Sequence, residues 1–176
     1  MNPRLPLGIE QALPASREGR LALHRYVEDI VGRFHGRPAT TAEVEAALFD
    51  EPSADLVPPT GLLLLARRAE AVLGCAGVRW VDDGFGELTR VHVSPAARGE
   101  GIGSALVLAI EASARARGAR CLRLDTRSDL VEARRLYDRL GYEPVEPFSD
   151  GPYADHWLAK TLPPAPDHAS TVTSGG

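Results

Sequence analysis

Residues 91–107 read VHVSPAARGEGIGSALV, and the fold turns on them. Val91, His92 and Val93 suit the end of a strand, Pro95 stops it, and glycines at 99, 101 and 103 lead into an Ala- and Leu-rich helical run. A strand, a tight glycine turn and a helix in direct succession bring bare backbone N–H groups together at a helix N-terminus, where partial positive charge collects. Arg98 sets a full positive charge beside them. The stretch is a candidate anion site, although glycine-rich turns also end elements where no ligand is involved.

Two other phosphate-binding patterns fail on spacing. A P-loop needs Gly-x-x-x-x-Gly-Lys-Ser/Thr, and the single lysine of the chain is Lys160. A dinucleotide turn needs Gly-x-Gly-x-x-Gly, but the sixth position is Ser104 counted from Gly99 and Leu106 counted from Gly101. Asp125 does lie about twenty residues on, where a ribose-binding acid belongs, so the dinucleotide class stays as the runner-up.

Working outward toward the N-terminus, β-rich runs at 62–67, 72–81 and 87–93 are separated by short polar or glycine-containing links, which predicts an antiparallel meander. Before them, a short strand is expected near 7–11. An amphipathic helix is expected over 16–34, with Ser16 as N-cap and Leu21, His24, Tyr26, Val27, Ile30, Val31 and Phe34 along its inner stripe. Thr40 and Glu43 form a capping-box pattern for a second helix, and the proline-rich 50–60 reads as a loop. Toward the C-terminus the expected order is helix 102–117, strand 121–126, helix 130–140 and strands at 142–145 and 155–162. A helix between strands 87–93 and 121–126 forces those two to run parallel, so the sheet is mixed. The expected class is therefore α/β, in one domain over 1–162; residues 163–176 lack apolar periodicity and read as a disordered tail.

Composition narrows the function classes. The chain has 176 residues, 44% of them hydrophobic, enough for one true core. Twenty Lys plus Arg against 24 Asp plus Glu give a formal charge of -4, which argues against nucleic acid as a partner. Cys75 and Cys121 sit singly in apolar runs with no ligand spacing, so they read as reduced core residues and no metal site is expected. No apolar stretch suits a signal peptide or a membrane span, which gives a cytoplasmic expectation.

Arg98-Gly99-Glu100-Gly101-Ile102-Gly103 resembles the Arg/Gln-x-x-Gly-x-Gly/Ala motif of the GNAT acyltransferase superfamily, set as there between a Val-x-Val-x-Pro strand end and a helix. Ala133-x-x-Leu136-Tyr137-x-x-Leu140-Gly141-Tyr142 is similar to that family's second element at the expected distance. The resemblance covers roughly residues 8–162 in element order, and 87–142 in specific motifs. It implies a mostly antiparallel sheet flanked by helices, whose two central parallel strands splay apart. It also implies acetyl-CoA as cosubstrate, held by the main chain of Val91 and Val93 with His92 between them, and by the turn Arg98, Gly99, Glu100, Gly101, Ile102, Gly103 and Ser104.

The implied activity is direct transfer of an acetyl group to a primary amine of a small molecule, with a peptide amine as the near variant and a non-catalytic acyl-CoA-binding module as the rival class. Such transfer needs a neutral nucleophile, charge stabilisation and a proton for the leaving thiolate. By resemblance Tyr137 is the acid, Glu87 the base and the Val93 N–H the donor to the developing oxyanion. Packing against the sheet is the bland reading of Tyr137; an ion pair with an arginine such as Arg90 is that of Glu87. Unbroken strand alternation would set His92 on the face opposite Glu87, Val91 and Val93, as a structural residue. Leu130 stands where many relatives carry an asparagine that binds the pantetheine arm, with Ser128 or Asp129 as alternative donors. The acceptor side falls to residues 20–60, with Asp82, Asp83, Asp150 and Asp155 as acids suited to a cationic amine and His24 and His156 as further lining candidates. Dimers are frequent in the family, which leaves a homodimer open.

Overall fold

The computed structural model describes residues 6–81, 84–151 and 153–164. The expectations for Asp82, Asp83 and the tail from residue 165 lie outside them. The chain runs β1 (Gly8–Gln11), α1 (Arg17–His35), α2 (Thr41–Asp50), β2 (Gly61–Arg68), β3 (Ala71–Val81), β4 (Phe85–Val93), α3 (Ile102–Ala116), β5 (Cys121–Thr126), α4 (Val131–Arg139), β6 (Glu143–Pro144) and β7 (His156–Thr161). One seven-stranded sheet has the order β1-β2-β3-β4-β5-β7-β6, and only β4 and β5 pair in parallel. The expected mixed sheet and element order are present.

Local chemistry explains the boundaries. The Ser16 hydroxyl accepts from the Gly19 amide and starts α1, and Gly36 ends it at φ 64. Thr40 and Glu43 form the reciprocal capping box at the start of α2. The stripe of α1 is turned from the expected one: Ala22, Leu23 and Val27 are buried, whereas Leu21 and His24 face out.

Both faces of the sheet are covered, which is why β2 is apolar without alternation. Leu62, Leu64 and Ala66 join the cluster under α3 and α4, while Leu63 and Leu65 meet Ala22 and Leu23 of α1. Each fully buried leucine contributes roughly 2 kcal/mol. The meander thus forms a rigid platform, and α1 with α2 lies over one side of it.

The parallel pair is short. Phe85, Gly86 and Glu87 pair with Cys121, Leu122 and Arg123, and the pairing stops there although both strands continue. The expected splay is this loss of partners beyond Glu87. β4 also carries an extra residue: Cys75 faces His92 and Gly77 faces Thr89, so one residue of β3 spans two of β4. Arg90 absorbs the excess at φ 55.

The bulge corrects the face assignment of His92. Leu88, Val91 and Val93 pack on the α3 side, while His92 meets Tyr26 of α1 and Arg90 meets Tyr26 and Glu51. Glu87, one residue from Gly86 on the α3 side, shares the α1 face with His92. Unbroken alternation fails because the additional residue resets the phase of the strand between Thr89 and Val91.

Candidate active site

A cleft of about 420 Å³ opens where β4 and β5 part, and nine of the ten residues expected to hold the cosubstrate line it, all but Glu100. The turn builds it as the sequence predicts. Gly99 and Gly101 sit at φ 82 and 78, which side chains with a Cβ seldom adopt. Gly101 is the N-cap of α3 and no side chain caps that end, so the first-turn amides stay available to an anion. A Cβ on Gly103 would lie 3.1 Å from Leu136 Cδ2, so this glycine lets α3 approach α4 closely.

Charge in the cleft favours an anion. Arg33, Arg98 and Arg139 line it against the two carboxylates Asp29 and Glu132. Arg98 donates from Nε to the Val93 carbonyl at 3.0 Å and from Nη2 to Asp29 at 2.8 Å, which holds the turn against α1. Glu100 turns away to Arg68 at 2.9 Å, so any part it plays in this cleft falls to its backbone.

Val93 is oriented by its neighbour. The Ser94 N–H bonds the Leu73 carbonyl, so in this antiparallel ladder Val93 turns its own N–H and C=O away from β3, into the gap left by β5. A pantetheine arm and a reacting carbonyl need donors at this point, and the glycine-lined helix end needs an anion; the cleft fits acetyl-CoA in both respects. Leu130 lines it without a side-chain donor. Neither alternative replaces the missing asparagine: Asp129 is held by Arg127 at 2.8 and 2.6 Å, and Ser128 Oγ lies 3.0 Å from His156 Nε2.

Tyr137 is buried, its ring 5.6 Å from that of Tyr142, and like Glu87 it lies outside the lining of the cleft. Burial pushes its phenol well above the usual range, and Tyr26 and Asp125 add to the effect, so it stays protonated. Glu87 is ion-paired, but to Arg123 at 2.5 Å rather than to Arg90, and it lies outside the lining of the cleft. His92 is buried with Nε2 unbonded and 3.7 Å from Asp29. Burial lowers its pKa, Asp29 opposes, and Arg98, Arg33 and Arg25 add to the lowering, which keeps the imidazole neutral near pH 7.

On the α1 face a second cavity, of about 300 Å³, lies between α1, α2 and the sheet. Ile30 lines both cavities. The sequence assigned this side to residues 20–60 but gave no sign of Arg90, Arg127 and Tyr153, which also line it. The first enters through the bulge, the others from segments far along the chain. His24, Asp150, Asp155 and His156 do not line it.

A mixed sheet that parts beside an uncapped, glycine-lined helix end defines a fold built to take a phosphate-bearing cosubstrate against its central strands. The chain matches the acetyltransferase (GNAT) family over residues 25–142 and belongs to it. It is 38% identical over 99 residues to IAA acetyltransferase of Azospirillum brasilense, covering 56% of this chain and 63% of the relative. It is 32% identical over 145 residues to mycothiol acetyltransferase of Actinosynnema mirum, covering 80% of this chain and 46% of the relative. The chain thus spans less than two-thirds of the length of these curated relatives. The PaiA N-acetyltransferase of Thermoplasma acidophilum, solved in complex with coenzyme A, shares the fold at TM-score 0.71 and 17% identity, over 90% of this chain and all of that one. No helix among the described residues is long and apolar enough to cross a membrane.

Proposed function

We propose that the chain is an acetyl-CoA-dependent N-acetyltransferase that passes the acetyl group directly to a primary amine of a small molecule. The observation that carries this reading is the single cleft formed by the glycine turn, the freed Val93 backbone and the splay, with a second cavity adjoining it at Ile30. Acetyl-CoA supplies an activated thioester; the chain supplies position, charge and protons.

The turn amides with Arg98 bind the pyrophosphate, and the Val93 N–H stabilises charge developing on the acetyl oxygen. Tyr137 donates a proton to the departing sulfur, since its buried phenol remains protonated at every working pH. Glu87 takes the proton of the acceptor amine through water from the α1 face, its carboxylate oriented by Arg123. The volume of the second cavity, about 300 Å³, favours a small acceptor over a peptide segment. The names of the two curated relatives, for IAA and for mycothiol, point the same way.

Release of free thiol from acetyl-CoA, assayed across a panel of amines, tests the activity and the acceptor class together. Calorimetry with acetyl-CoA, coenzyme A, NAD and ATP tests the cleft: tight binding of only the last two would end this reading.

A further inference from the structure

Arg90 combines two costs at one residue. A non-glycine backbone at φ 55 inside a strand is strained by roughly 1–2 kcal/mol, and its guanidinium is only 6% exposed. Arg127, immediately after β5, is 8% exposed. A buried cation is retained only where partners compensate for lost water. Here every guanidinium nitrogen has a partner, and each cation is paired with a carboxylate. Arg90 gives Nε to Ser53 Oγ at 3.1 Å, Nη1 to Glu51 Oε2 at 3.2 Å and Nη2 to the Glu51 carbonyl at 2.9 Å. Arg127 gives Nε and Nη2 to Asp129 and Nη1 to the Ile30 carbonyl at 3.2 Å. Each guanidinium has five N–H donors, so each has donors beyond those three bonds.

Arg90 comes from β4 and Arg127 from the residue that follows β5, the two strands that part, and both line the second cavity. Its walls are Tyr26, Phe34, Tyr153, Val27 and Val31, and the carboxylates Glu43, Asp50 and Glu51 line its α2 side. Arg90 lies 5.4 Å from the Tyr26 ring and Arg127 5.6 Å from that of Phe34, so each cation sits where the apolar wall meets the gap. An anionic group on these donors would lie next to the splay, where an acyl group must arrive from the cofactor cleft. The amine that reacts is then within a bond or two of the anion, and the remainder of the acceptor faces aromatic and aliphatic walls.

We propose that the acceptor is an α-amino acid with an apolar or aromatic side chain, its carboxylate held by Arg90 and Arg127 and its α-amine presented to the gap. This rests on the transfer reading above and names its substrate class. The anion charges the site for recognition and takes no part in the bond exchange: the amine nitrogen bonds the acetyl carbon, the carbon–sulfur bond breaks, and the proton lost by nitrogen balances the one gained by sulfur.

The test compares L-phenylalanine and L-leucine with phenethylamine, isopentylamine and L-phenylalanine amide, by thiol release from acetyl-CoA and by calorimetric titration into the full chain saturated with coenzyme A. The free amino acids are expected to exceed the matched amines by at least about 100-fold in kcat/KM and to bind where the amines do not. Arg127→Gln is expected to raise KM for the amino acids at least tenfold with acetyl-CoA affinity unchanged, and Arg127→Lys to recover part of the loss. If the decarboxylated amines match or exceed the amino acids, the proposal is overturned while the transfer reading stands. If no amine is turned over although acetyl-CoA binds, the transfer reading fails, and the titration still decides this one: carboxylate-dependent binding supports it, and absence of binding ends it.

Discussion

Arg98 Nη2 donates to Asp29 Oδ2 at 2.8 Å, so the glycine turn proposed to take the pyrophosphate is tied directly to the first helix. The same guanidinium holds the Val93 carbonyl. Replacing it removes a cation from the cleft and frees the turn. Arg98→Ala is expected to weaken acetyl-CoA binding about 10- to 100-fold, the range for a charged hydrogen bond. Asp29→Asn, which leaves the guanidinium and relaxes its neutralisation, is expected to hold or tighten affinity. Calorimetry on both variants checks the pair, and wild-type affinity in Arg98→Ala removes Arg98 from the anion site.

Tyr137→Phe separates the acid from the packing residue. The ring, which carries the contact with Tyr142, is kept and only the hydroxyl is lost. If the phenol protonates the leaving sulfur, kcat falls about 10- to 100-fold while KM for acetyl-CoA hardly moves. Steady-state kinetics decide it: turnover equal to wild type leaves Tyr137 with packing alone.

Glu87→Gln keeps a group that Arg123 can bond and removes the basic oxygen. A proton acceptor lost in this way lowers kcat/KM about tenfold or more at neutral pH. The deficit should shrink as pH rises and the amine becomes neutral without help. A pH profile superimposable on that of the wild type would assign the base elsewhere.

Most of the scaffold was legible because it rests on local signals. Ser16 and the Thr40–Glu43 box start the helices they predict, and Gly99, Gly101 and Gly103 build the turn, since caps and positive φ depend on residues a few positions apart. The bulge at Arg90 was not legible. Nothing in GELTRVHV marks an extra residue, because the register is fixed by what β3 offers opposite: Cys75 to His92 and Gly77 to Thr89. That one residue reverses the face of His92 relative to Glu87 and delivers Arg90 to the second cavity. The pairing of Glu87 with Arg123 was hidden for the same reason, since the two lie opposite each other only through parallel pairing across a helix.

His92 offers a direct reading of its surroundings by NMR titration. Burial depresses its pKa below the ordinary value near 6.5, and Asp29 holds it up against that. The imidazole is expected to titrate below 6.5, and lower still in Asp29→Asn. Between the folded pKa and 6.5 the unfolded chain binds more protons than the folded one. The neutral form therefore contributes stability that is present above pH 6.5 and is lost as pH falls toward the folded value. A His92 midpoint at or above 6.5 contradicts the burial, and His92→Gln should flatten that part of the stability profile.

Glu111 and Lys160 form the buried ion pair of the α3 side. Glu111, in the middle of α3, is 1% exposed and accepts two bonds from Lys160 Nζ, at 2.8 and 2.9 Å, with Arg115 3.7 Å away. The pair joins α3 to β7, the strand that lies between β5 and the edge strand β6. Removing the lysine leaves a carboxylate in the core with one distant cation, which costs about 3 kcal/mol. Replacing both charges together avoids that desolvation. Lys160→Met is expected to lower Tm by roughly 6–12 °C at this chain length, and Lys160→Met with Glu111→Leu to recover most of the loss. Thermal unfolding of the wild type, both single variants and the double variant closes the cycle; a single-variant loss under about 1 kcal/mol would show that water or Arg115 already satisfies Glu111.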